Sequence, residues 1–174
     1  TVSRKVAAGQ LSALDAFHAL QEIKRPQKDR VLLLIGASAV TAASFTVMLG
    51  GGWLDFFVSF FCGALVQLVL PPLAHMQVPP LISSMIAGAL TTLMALLGTR
   101  VFPSVNVEPV ISGAIMPLLP GLATTNAMRD TIRGDLVSGG ARIIEAMLSV
   151  MMLAAGIGLG GYAIAYALFS MGVV

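Results

Sequence analysis

From Val31 to Thr99 the chain carries one charged side chain, Asp55, and from Ile143 to Val174 it carries one more, Glu145. A helix in water needs charge on its outer face, whereas a helix in lipid excludes it. The whole chain is 57% apolar and 10% charged, where ordinary soluble domains hold about a quarter charged residues. The sequence therefore predicts an all-α, polytopic membrane protein whose first partner is the lipid bilayer. The net charge of +2 does not point to nucleic acid, because the basic residues sit in short flanks of hydrophobic segments, where they set orientation. The single cysteine, Cys62, lies inside a hydrophobic run, so no intrachain disulfide is available. Thr1 opens a polar stretch without the charged-then-apolar pattern of a leader. With no initiator methionine, it reads as a trimmed chain or as one lacking upstream sequence.

Two regions are expected. Residues 1–30 read as a cytoplasmic amphipathic helical segment, the end of a truncated soluble region. Ser12-Ala-Leu-Asp15 resembles a capping box, Leu14, Phe17, Leu20 and Ile23 follow at roughly helical spacing, and Pro26 stops the run. Residues 31–174 read as a transmembrane helical domain. Five spans are expected: Val31 to Leu49, ended by three glycines; Trp53 to Leu70, ended by Pro71-Pro72; Pro79 to Gly98; Pro109 to Met128; and Ala141 to Phe169, long enough to tilt or break at its glycines. Each approaches the roughly 20 residues that cross a hydrocarbon core of about 30 Å. Six Lys and Arg precede the first span, Arg129, Arg133 and Arg142 follow the fourth, and only Arg100 lies between the third and fourth. Five crossings put nine of the ten basic residues on one side, which makes the N-terminus cytoplasmic.

The fourth span departs from a plain helix. Pro117 and Pro120 each remove a backbone donor, and Gly121 adds freedom at the same point. A discontinuous helix is expected, with a new half-helix starting at Pro120 or Gly121. Unpaired backbone at membrane depth must face protein or a water-filled cavity. The free N–H groups and partial positive charge of a half-helix suit a carboxylate. Thr124, Thr125 and Asn126 follow within a turn and a half. Pro117, Pro120, Gly121, Thr124, Thr125 and Asn126 are thus the candidate substrate-binding residues, in a layout expected of a secondary transporter. The bland alternative is a proline kink whose polar side chains cap backbone.

Gating or proton coupling has its own candidates. Arg129, Asp130, Asp135 and Arg142 alternate with glycine in what reads as a short cytoplasmic turn: either a gate of exchangeable ion pairs or a solvated turn. Asp55, two residues into the second span, is either a coupling carboxylate or an interfacial, solvated one. Glu145 is either a coupling carboxylate or the partner of Arg142 at i, i+3. Gln67 with Ser83, Ser84, Thr91 and Thr92 offers a polar path, against hydroxyls that bond back to their own helix.

The run Gly156-Ile-Gly158-Leu-Gly-Gly161 matches a dinucleotide fingerprint literally, but no strand precedes it and no acidic residue follows at the ribose distance. Close helix packing through Gly156 and Gly160 accounts for it better. Gly36 to Ser44 is a second small-residue face, and the ten methionines read as packing filler. His18 and His75 are isolated, and no serine has a nucleophile-elbow context. No enzyme, cofactor or metal site is expected.

Pro117-Leu-Leu-Pro-Gly121, Thr125-Asn-Ala-Met-Arg-Asp130, Gly134-Asp-Leu-Val-Ser-Gly139 with Arg142, and Glu145-Ala together resemble the threonine/serine exporter family, most closely the larger subunit of its two-subunit bacterial form. Gly9 to Leu20 is similar to the end of that family's cytosolic segment. The resemblance implies export of small amino acids or related carboxylates across the bacterial inner membrane. It also implies a second membrane half, fused or separate, and an odd span count agrees, since a similar second half would insert inverted. The chain also has the option of pairing with itself. The alternative is a non-transporting anchor or scaffold for a soluble domain, with a dry bundle in place of a cavity.

Overall fold

A computed structural model describes the backbone of residues 28–170 and the side-chain surroundings of residues 31–163. The amphipathic helix expected within residues 1–30 lies outside the described residues. The elements in chain order are α1 (Lys28–Met48), α2 (Trp53–His75), α3 (Pro80–Val101), α4 (Val107–Ile115) running into a 3-10 turn (Met116–Leu118), α5 (Gly121–Ile132) and α6 (Leu136–Ser170). No strand occurs among the described residues. Among the described residues, four helices are long and apolar enough to cross a membrane. The pair Val107–Leu118 and Gly121–Ile132, bent by 51°, makes a fifth span if it crosses as one.

Helix ends follow local chemistry. Gly50 takes a φ of 89°, so the N–H groups of Gly50 and Gly51 fold back onto the carbonyls of Val47 and Thr46 and close α1. The expected stop at Pro71-Pro72 is incorrect. α2 runs through both prolines to His75. A proline withholds one helical hydrogen bond and crowds the preceding turn, and here the helix absorbs both. Its end is set by Gln77, left-handed at φ 57°, which lets the N–H groups of Gln77 and Val78 return to the carbonyls of Ala74 and Leu73. Pro80 then opens α3 at a position where a missing N–H costs no helical bond.

α6 also differs from expectation. It starts at Leu136 and continues unbroken through its glycines, 35 residues in all, about 52 Å at 1.5 Å per residue. Gly156 and Gly160 serve packing instead. A Cβ on Gly156 would overlap the Met85 carbonyl oxygen, and one on Gly160 would lie 2.8 Å from that of Ala89. Across the same seam, Gly88 backs onto the main chain of Leu153. α3 and α6 thus meet backbone to backbone, as small residues permit within a membrane. α1 packs similarly: Ser38, Ala39, Ala42, Ala43 and Thr46 are buried, and the Ser38 hydroxyl donates to the Gly63 carbonyl at 3.1 Å. The buried clusters are built mainly of small residues, Ala42, Cys62, Ala95 and Ala114 with Val110, then Ala87 with Val66 and Leu153. Large side chains such as Trp53, Leu122, Ile132 and Val137 point outward, the inverse of a soluble core.

Candidate functional site

The break in the bent pair follows from two prolines. Pro117 cannot donate to Gly113, nor Pro120 to Met116, and each disfavours helical backbone in the residue before it. Leu119 is accordingly extended, at φ −66° and ψ 137°. Pro120, at φ −78° and ψ 56°, sits at the centre of an inverse γ-turn in which the Gly121 N–H donates to the Leu119 carbonyl at 2.8 Å. α5 begins at Gly121, and no side chain caps it. Gly121 having turned back, the N–H groups of Leu122 and Ala123 are the uncapped donors of this end.

A cavity of about 510 Å³ opens at that end. Pro120, Gly121, Thr124 and Thr125 form one wall, and Met147, Val150 and Met151 of α6 form the other. Four of the six candidate substrate-binding residues therefore share one space. Asn126 is exposed and lines neither this cavity nor the one described next. The hydroxyls of Thr124 and Thr125 donate to the carbonyls of Pro120 and Gly121, both at 2.9 Å. Their protons are thus engaged, and their lone pairs remain free to accept.

Pro117 faces a different cavity of about 370 Å³. With Leu118 it closes a space lined by Gln67 of α2 and by Ser83 and Ser84 of α3. The serine hydroxyls bond back to Pro79 at 3.4 Å and Pro80 at 3.1 Å. Thr91 and Thr92, expected along the same path, are buried and bond back to Ala87 and Gly88.

The charged candidates separate into distinct roles. Asp55 is not the solvated interfacial carboxylate of one expectation: it is 1% exposed. Its Oδ2 accepts the Gly52 N–H at 2.8 Å and its Oδ1 the Asn106 N–H at 2.9 Å. Burial is tolerable because both oxygens are hydrogen-bonded. The stretch from Arg129 to Arg142 is largely helical, and only Arg133 to Asp135 separate α5 from α6. Gly134, at φ 91°, ends α5, and Asp135 caps α6 by accepting the Ser138 N–H at 3.1 Å. Arg129 occupies the last turn of α5, where a cation suits the helix dipole. Arg142 pairs across the turn with Asp130, Nε to Oδ2 at 3.3 Å, rather than with Glu145. A cation N-terminal to its acid is the less favourable order along a helix. Glu145 is exposed and forms no ion pair among the described residues.

Sequence reasoning missed the α6 wall. Met147 and Met151 read as filler, and no periodicity distinguishes a methionine facing a cavity from one facing lipid. No group of three metal-ligating side chains occurs among the described residues.

Residues 1–163 match a family described as "Putative threonine/serine exporter". A threonine/serine exporter of Corynebacterium glutamicum is 27% identical over 126 residues, 70% of this chain and 26% of that protein. A probable succinate transporter subunit, YjjP, of Klebsiella aerogenes is 30% identical over 130 residues, 74% of this chain and 48% of its own length. An uncharacterized protein of Schizosaccharomyces pombe, C16A10.01, is 27% identical over 172 residues, 91% of this chain and 20% of that one. The chain thus spans about half or less of the length of these relatives. No solved structure matches it significantly.

Proposed function

Because the chain belongs to the threonine/serine exporter family, a family of membrane transporters, we propose that it is the membrane half of a secondary transporter that exports small amino acids or related carboxylates. The observation that carries this reading is the uncapped start of α5 at the wall of a cavity, next to two threonines. The positive end of the helix dipole at the cavity-lining Gly121, with the uncapped N–H groups of Leu122 and Ala123 on the turn that follows it, supplies the donors we assign to a solute carboxylate. The lone pairs of Thr124 and Thr125 are acceptors for an ammonium or hydroxyl on the same solute. Threonine and serine carry all of these groups. A dicarboxylate such as succinate, named for two relatives, uses the donors alone.

Alternating access needs a second wall, and we assign it to a second membrane half, with self-pairing as the other option. Two relatives bear the word subunit in their names. With five crossings, nine of ten basic residues on one side support an N-terminus in the cytoplasm and a cytoplasmic segment over residues 1–30, and similarity to bacterial transporters supports a bacterial inner-membrane location. On that reading the Asp130–Arg142 pair ties α5 to α6 at the inner face and serves as the gate. Glu145 is then the carboxylate available for proton coupling.

Efflux of threonine, serine and succinate from loaded cells, with and without the full-length protein and its neighbouring half, tests the proposal. Export that depends on the chain is expected. Equal efflux in both strains, with the protein inserted at normal levels, favours the scaffold.

A further inference from the structure

Gln67 is an amide in an otherwise apolar stretch of α2, and it lines the cavity between α2, α3 and the broken helix. Its side chain makes no hydrogen bond among the described residues. The two serines beside it are committed to their own helix, so the amide is the uncommitted side-chain donor on this wall. The backbone adds a second polar group at the same residue. Pro71 cannot donate the helical bond that the Gln67 carbonyl would otherwise receive. An unmet amide within a membrane span is expensive, and such groups face a partner or a water-filled path. Pro117 and Leu118 form the opposite wall, so this cavity abuts the helix break three residues before Gly121.

We propose that Gln67 is a substrate-recognition residue whose side-chain NH₂ donates to a carboxylate oxygen of the transported solute. This rests on the transport reading above and adds a specificity residue on the far side of the break. The α5 end offers main-chain donors, which every sequence supplies. Gln67 offers a donor that a single substitution removes. Pro71 leaves the Gln67 carbonyl without its helical donor, and water or the solute's hydroxyl or ammonium satisfies that group.

Transport kinetics of full-length variants, expressed with the partner half, test it. Gln67→Glu keeps the size, removes the donor and brings a negative charge to the carboxylate. Gln67→Leu removes both polar functions. Each should raise the half-saturation concentration at least about tenfold, the equivalent of one charge-assisted hydrogen bond, with Gln67→Asn intermediate. As an independent readout, Gln67→Cys should react with a water-soluble thiol reagent, and solute should slow the reaction. Native Cys62 is fully buried and serves as the unreactive control. Wild-type half-saturation in Gln67→Glu and Gln67→Leu, or labelling that solute does not slow, overturns the role of Gln67 while leaving transport standing. Absence of transport by the wild type removes both.

Discussion

Asp55 in the first turn of α2 holds the main-chain N–H of Asn106 at 2.9 Å, joining two segments 51 residues apart. Its other oxygen holds Gly52. The carboxylate therefore fixes both the α1–α2 turn and the point from which α4 descends toward the break. Asp55→Asn places an amide NH₂ against one of these donors. We expect a destabilisation of about 1–3 kcal/mol, visible as a lower melting temperature in detergent. The pH profile of transport should be unchanged, and a flattened profile would instead make Asp55 a coupling group.

Gly121→Leu separates site from fold. A Cβ there meets nothing within 4 Å, so insertion and protein level should match the wild type. The larger side chain stands at the start of α5 beside the cavity, and transport should be lost. Full export from Gly121→Leu combined with Asn126→Ala would remove the α5 end as the binding site.

The α3–α6 seam makes a sharper contrast. Gly156→Ala drives a methyl into the Met85 carbonyl, whereas Gly158→Ala enters open space. The first should sharply reduce folded protein, and the second should leave it intact. Fluorescence-detected size exclusion of both variants reads the difference.

Arg142 and Asp130 are half-exposed and part-exposed, at 52% and 28%, so their pair should add no more than about 1 kcal/mol to stability. Single reversals, Asp130→Arg or Arg142→Asp, should slow export, and the double reversal should restore it if the pair is a gate. Equal export in all three would leave the pair as a solvated contact.

Gln77 is a non-glycine residue in left-handed backbone. Gln77→Gly should stabilise the chain by about 1 kcal/mol, measured as a rise in thermal midpoint with transport unaffected.

The broken fourth span was legible because proline chemistry is local. Pro117 and Pro120 remove hydrogen bonds whatever surrounds them, so the start of α5 at Gly121 could be read without a fold. The prolines at 71 and 72 misled for the complementary reason. A helix tolerates the same defect when its next turns are well formed, and here a left-handed glutamine set the stop. Asp55 shows the larger limit. Its position near a span edge suggests solvent, but its second partner comes from a loop 51 residues away, and no local pattern announces such a bond. The charge-poor runs determined that this chain is a bundle of membrane helices, because the cost of burying charge in lipid depends on residue type alone. Which polar groups remain unspent after the helices pack was decided by tertiary structure. Thr124 and Gln67 look alike as polar residues in apolar runs. The Thr124 hydroxyl donates to the carbonyl four residues back in its own helix, a local bond, whereas packing sets the Gln67 amide at a cavity wall with its donor uncommitted and free to read a solute.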